Sequence, residues 1–397
     1  MGVFDVFCDL TACFFRRIDD NVAESSPESI PAVSARRSHH STPTLPAEII
    51  VAILEAASDN KDAHKTLRAC SLVCRDWSAA AQKMLYRRVS LTSASALDGF
   101  VYALSANTPR SRALAEAVQS LRIVIDTNQP HGIPRDAFAQ AVVQCPNLSA
   151  LALALYHDSF DPAQGSSKGS QLFADDARLM LQNAPRVTTL RFDNWSDNAH
   201  ALTELLEVFP SVTSLSISGT PPALSASAAS PPCALEELRI DCHPSIDFVK
   251  WLLEGKSLRT LEFKRPPECE LLMHLLLEHC NTLESLALPS CPSADYVHAM
   301  AQCTRLRVLR LEDLWTASNT RRHLPASLEH LAFSLDKRVP LFPVLADIEK
   351  STALKSVTVH AWADERRHPS LPDLRIACAL KDVQLDIVED IHTFRAL

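Results

Sequence analysis

The chain of 397 residues carries a formal net charge of −8, is 47% hydrophobic and has no long basic run. It therefore has ample material for a large core and lacks the basic patch usual in a nucleic-acid binder. Twelve cysteines are scattered rather than gathered in a short framework, as in reduced core thiols of a cytoplasmic and/or nuclear protein. The seven glycines stand too far apart for GxGxxG, a Walker A loop or GxSxG, and no apolar run approaches the roughly 20 residues that span a bilayer.

Residues 1–43 read as an amino-terminal tail and linker. Phe4, Phe7, Phe14 and Phe15 alternate with Asp5 and Asp9, so the basic start and unbroken apolar core of a secretory signal are missing. Met1-Gly2 begins a myristoylation pattern, but Val6 stands where Ser or Thr is needed. Cys8 and Cys13 are candidates for palmitoylation, against the alternative of a small helix packing locally. Residues 19–43, rich in Ser, Pro, Glu and Arg, have the composition of a disordered linker.

Leu45–Leu85 predicts three short helices. Pro46 sits in the first turn, where a missing N–H costs nothing. Ile49, Ile50, Ile53 and Leu54 form one apolar stripe. Asp59-Asn60 breaks the pattern and can cap the second helix. Leu67, Cys70 and Cys74 fall at helical spacing, and Asp76 restarts the pattern for Trp77, Ala81, Met84 and Leu85. So few residues cannot bury all these side chains among themselves. The next domain or a second protein must cover some of them.

The stretch resembles an F-box. Leu45-Pro46, Glu48-Ile49, Ile53-Leu54, Leu67, Cys70–Arg75, Trp77 and Leu85-Tyr86 carry the match. The resemblance implies docking on a Skp-type adaptor, which hangs on a cullin scaffold with a RING subunit. Carried over by position, Leu45, Pro46, Ile49, Ile53, Leu54, Leu67, Val73, Cys74 and Trp77 are the adaptor-binding residues. The division between partner face and internal core stays open.

Arg87–Leu91 is a short strand, and Leu97–Leu104 has a helical pattern. An L-x-x-L-x-L template then recurs, with first residues at Val118, Leu148, Val187, Val212, Leu235, Leu258, Leu283, Leu306, Leu328, Leu354 and Leu380. The third and fifth residues after each start share one face of a strand. Return helices are visible at Leu202–Phe209, Ile246–Leu253, Leu271–Leu276 and Val297–Met300. Residues 157–170 and 220–232 are loops. The spacing from Val187 onward resembles leucine-rich repeats. Those repeats often place Asn or Cys eight residues after the start, and here Cys291 alone conforms, so the array is expected to be irregular.

Cys70 and Cys74 could share a metal, but no second ligand pair is evident, and the F-box match explains them. No Ser or Cys is tied to a His, an acid and a glycine turn. No cofactor is indicated. The polar face of the strands offers Arg191, Arg239, Glu262 and Arg310 as target-binding residues. The arginines suit an acidic or phosphorylated partner, while Arg239 and Glu262 can equally pair with each other across adjacent strands. Trp195, Trp315 and Trp362 come just after strand ends near one rim.

The expected fold is α/β: tail at 1–43, three-helix F-box at 44–91, and at 92–397 an irregular leucine-rich-repeat solenoid with a parallel sheet on one face and helices and loops on the other. The resemblance implies a non-catalytic substrate receptor of a Skp–cullin–F-box ubiquitin ligase whose repeats bind a target protein. The alternative is a protein acting with the adaptor outside ubiquitin transfer. The large F-box sets of mushroom-type fungi look similar.

Overall fold

The computed structural model describes residues 45–58, 62–156, 172–224, 230–290, 294–313, 324–335, 341–361 and 368–395. The tail at 1–43, the break at Asp59-Asn60 and the loop at 157–170 lie outside the described residues, as do Cys291, Trp315 and Trp362. The chain divides into two compact units, residues 1–158 with 173–187, and 159–172 with 188–397. No helix among the described residues is long and apolar enough to cross a membrane.

The first unit opens with α1 (Ala47–Ser58), α2 (Ala63–Cys70) and α3 (Arg75–Arg87), and α3 runs straight into β1 (Arg88–Leu91). Next come α4 (Ala94–Ser105), α5 (Pro109–Ala117), β2 (Ser120–Asp126), α6 (Arg135–Val143), β3 (Ala150–Tyr156) and α7 (Asp175–Leu181). β1 pairs in parallel with β2, and β2 with β3. Local chemistry sets the helix starts. Ser93 accepts from the Ala96 N–H at α4. Thr108 and Ser111 cap each other reciprocally at α5, with Pro109 in the first turn. Tyr86 stacks on Phe100, and Phe138 on Phe173, with ring centroids 6.4 and 5.4 Å apart.

The second unit continues the alternation. Its strands are β4 (Thr189–Trp195), β5 (Ser214–Gly219), β6 (Glu237–Asp241), β7 (Thr260–Phe263), β8 (Ser285–Ser290), β9 (Val308–Asp313), β10 (His330–Ser334), β11 (Ser356–His360) and β12 (Gln384–Val388). Each is parallel to its neighbour in chain order. Helices α8 (Ala201–Val208), α9 (Ile246–Leu253), α10 (Cys269–Glu278), α11 (Ala294–Ala301), α12 (Phe342–Lys350) and α13 (Leu371–Leu380) return the chain between strands, and α14 (Ile391–Arg395) comes after β12. Residues 220–224 and 230–236 carry neither helix nor strand.

Within each unit the strands pair in parallel in chain order, so each connection carries the chain back to the start of the next strand. A strand cannot bury its apolar face alone, so successive copies pool theirs into one core. The template explains where strands begin: β2 to β11 each start two residues after the template's first apolar residue. The third and fifth residues go inward, as Leu190 with Phe192, Leu238 with Ile240 and Leu309 with Leu311, all buried.

Two copies depart from the expected phase. Tyr86-Val89-Leu91 is an earlier copy than Val118, because Val89 pairs with Leu121 and Leu91 with Ile123. The last copy is not Leu380-Val383-Leu385. Leu380 ends α13 at 80% exposure, and Val357 pairs with Leu385 and Val359 with Ile387. Asp382, at φ 55, turns the chain before β12 and moves the register two residues on. Gly219 closes β5 at φ 87, and a Cβ there would run into the Asn194 carbonyl oxygen.

A charge ladder lies just outside the core, one residue after each template start. The N–H groups of Glu236, Arg259, Glu284, Arg307, Glu329 and Lys355 each donate at 2.8 Å to the carbonyl of the equivalent residue one copy earlier. Their side chains alternate in sign along the stack. Arg259 lies 3.8 Å from Glu236. Arg307 grips Glu329 with two bonds of 2.9 and 3.0 Å, and Lys355 reaches the same carboxylate at 2.7 Å. Each exposed pair is weak, yet a one-copy slip would set like charges face to face, so the ladder favours the observed order.

Hydrogen bonds from Arg307 and then Lys355 hold the Glu329 carboxyl down at about 2, from an ordinary 4.5. A depressed carboxylate stabilises the fold above its unfolded value and loses that contribution as pH falls through the folded one. The gap in melting temperature between the native chain and Glu329→Gln is therefore expected to be full above pH 4.5 and to close toward pH 2. Thermal melts monitored by circular dichroism across that range measure it.

Candidate functional site

α1 sorts its apolar residues onto two lines. Ile50 and Leu54, four apart, point inward and are almost fully buried with Leu67 of α2 and Ala81 of α3. Cys70, Trp77, Ala80, Met84 and Leu85 pack partly buried around them. Ile49 and Ile53, also four apart, form the second line, and together with Leu45 just ahead of the helix they stay 47%, 43% and 49% exposed. A helix carries residues four apart on one face, and the facing positions on α2 and α3 are already filled by the inner line. The outer line has no described partner.

The α2–α3 turn exposes further apolar side chains. Ser71, Leu72 and Val73 donate backbone N–H bonds to Leu67, Ala69 and Cys70, and the Ser71 hydroxyl bonds the Arg68 carbonyl at 2.7 Å. With these N–H groups bonded, the turn holds Leu72 and Val73 outward at 66% and 65% exposure. Cys74, at the start of α3, is exposed as well. An open groove of about 510 Å³ adjoins them, walled by Leu72, Cys74, Ser78, Gln82, Arg110 and Leu114.

The nine residues named from the sequence therefore fall into three groups. Leu45, Pro46, Ile49, Ile53, Val73 and Cys74 are exposed, Trp77 is half-buried, and Leu54 and Leu67 are interior. Leu54 and Leu67 touch this surface only by holding its helices in place. Pro46 immediately precedes α1, and its carbonyl accepts from Ile49 and Ile50. Sequence reasoning left out Leu72, although its place between Ser71 and Val73 in the turn carried the signal.

The second candidate surface is the polar face of the strands in the second unit. Arg191 is exposed and holds Asp193 on its own strand at 3.0 Å. Arg239 is exposed and faces its register partner Glu262 at 3.5 Å. Arg310, two strands further on, reaches the same Glu262 at 2.6 Å, and both are buried. The pairing of Arg239 with Glu262 is thus present, and Arg310 joins it. Each of the three arginines already has a carboxylate. Trp195 is 47% exposed at the end of β4. Asn194, one residue before the position that the repeat pattern marks, is buried and bonds Ser196 and Asn198 across the turn.

The buried thiols are unsuited to nucleophilic work. Burial pushes Cys145 up to about 12 and Cys242 and Cys303 to about 11, so they stay protonated at neutral pH.

The two lines of α1 should respond differently to truncation. Leu54→Ala is expected to cost about 2–5 kcal/mol, as large-to-small core changes do. Ile53→Ala should stay within about 0.5 kcal/mol, as surface changes do. Urea unfolding of both variants measures the contrast.

Comparison with known proteins bears on the first surface. No curated protein matches the chain. A family model described as F-box-like matches residues 42–92, the span that contains α1, α2, α3 and β1. The helical unit that carries the Leu45–Ile49–Ile53 line is an F-box-like domain.

Proposed function

We propose that this chain is the substrate-receptor subunit of a Skp–cullin–F-box ubiquitin ligase. The F-box-like domain suggests an adaptor role of this general kind. In the finer reading, Leu45, Pro46, Ile49, Ile53, Leu72 and Val73 dock on a Skp-type adaptor. The strands and helices beyond the F-box-like domain act as an irregular leucine-rich-repeat solenoid whose polar face holds a target protein. Ubiquitin transfer then belongs to a separate RING subunit and its E2 enzyme, and the chain does no covalent chemistry. The complex works in the cytoplasm or nucleus, where its free thiols stay reduced.

The observation that carries the reading is the uncovered apolar line on a helical unit whose own core is already full. Scattered exposed leucines mean little, but several large apolar side chains left exposed on an F-box-like domain support a protein-binding surface. Covering these side chains is worth on the order of 1 kcal/mol each at their present exposure. That is enough for stable docking once several act together.

Co-purification with a Skp-type adaptor tests the proposal. The native chain is expected to retain the adaptor and, through it, cullin. Leu45→Ala/Pro46→Ala should weaken retention about tenfold or more, the loss expected when anchoring side chains are truncated, with its unfolding curve little changed. Undiminished adaptor binding by that variant contradicts the docking, and adaptor recovered without cullin contradicts the ligase.

A further inference from the structure

The polar face of the second unit already has an occupant. α14 packs on it next to β9, β11 and β12. Phe394 is fully buried, with its ring centroid 5.4 Å from that of His360 at the end of β11. Ser334 holds the same imidazole through Nδ1 at 2.8 Å. Beside it, Arg395 makes two bonds of 2.7 and 2.6 Å to the Glu312 carboxylate of β9. Its carbonyl accepts from Arg310, whose other arm holds Glu262. The face thus offers an aromatic seat and, next to it, a carboxylate aimed at a guanidinium.

At this end of the face it is the Glu312 carboxylate that meets the occupant. Arg310 is spent on Glu262 and on a backbone carbonyl, so it does not await an anion. Glu312, with Asp241 and Glu262 behind it, favours the charged form of Arg395. A bidentate carboxylate–guanidinium pair is specific in geometry, and a buried ring supplies the apolar anchor that recognition surfaces use.

The occupant is also weakly held by its own chain. α14 has five residues, too few for a helix to persist without packing. Asp390 caps it through Thr393 and His392, and the two side chains Phe394 and Arg395 pin it down. Short elements held by few contacts open at low free energy.

From this geometry we infer that the face recognises a peptide segment carrying an aromatic residue followed by arginine, and that Phe394-Arg395 fills the site in cis until such a segment displaces it. The inference rests on reading this face as the target-holding surface. The arrangement raises the threshold for binding: a target lacking either side chain cannot replace both contacts.

The test uses the full chain with Phe394→Ala/Arg395→Glu and a fluorescent peptide of residues 389–395. The variant is expected to bind the peptide in fluorescence anisotropy at least about tenfold tighter than the native chain. Arg395→Glu within the peptide should cost about tenfold, as loss of a charge-assisted pair does. Equal binding by the two chains, or none by either, overturns the inference. If the variant does not fold, hydrogen exchange of the native chain decides. Amides of 391–395 should exchange well before those of β9 to β11, and simultaneous exchange overturns it. Adaptor co-purification, run in parallel, reports separately on the ligase reading, because the adaptor surface shares no residue with this site.

Discussion

The interior formed by Ile50, Leu54, Leu67 and Ala81 governs the rest of the account. These four side chains close the contact among α1, α2 and α3, and Trp77, Met84 and Leu85 seal its margin. Because that interior is complete, Ile49 and Ile53 are left on an adjacent, exposed line of the same helix, with Leu45 exposed just before it. Leu72 and Val73 are held out by a turn whose N–H groups are bonded to the end of α2. A three-helix unit this small gains little from its own core, so leaving large apolar residues uncovered is costly unless another protein covers them. An F-box-like domain supplies the general role in which such a surface is used.

The second unit solves a different problem with repetition. One strand and one helix cannot enclose a core, but copies stacked in chain order can. Each copy then needs a device that fixes its place. The backbone bonds at the first position after each template start supply spacing, and the alternating charges from Glu236 to Lys355 supply order. On the polar side of the same strands the chain lays Phe394 and Arg395 against His360 and Glu312. Core-facing residues of these strands thus build the interior, while residues on the other side hold α14.

Much of this was legible in the sequence, for a physical reason. A strand alternates sides every residue, so an apolar pair two apart announces both the strand and its buried face. That is why β2 to β11 stand where the template placed them. The template failed at the ends of the array. Tyr86-Val89-Leu91 was hidden because Tyr86 also closes the F-box pattern. The last copy was misplaced because the template's leucine fell on Leu380, which ends a helix, and the left-handed turn at Asp382 leaves no apolar mark. On α1 the isoleucines at 49 and 50 are indistinguishable by composition, and only packing against α2 and α3 decides which points inward. The neighbours of the strand arginines were only partly legible: the Arg239–Glu262 pair follows from register, but Arg310 joining it does not. Arginines on strands are visible in sequence, but a carboxylate two strands away, and the distant Arg395 that competes for the same surface, become neighbours only in the fold.

Cys74 gives the most direct access to the central claim, since its exposed thiol sits at the edge of the uncovered apolar surface. Alkylation of Cys74 by iodoacetamide, quantified by mass spectrometry, should be fast in the free chain. It should slow strongly when a Skp-type adaptor is added, while exposed Cys269, in the other unit, keeps its rate. An unchanged rate at Cys74 under saturating adaptor would contradict the account.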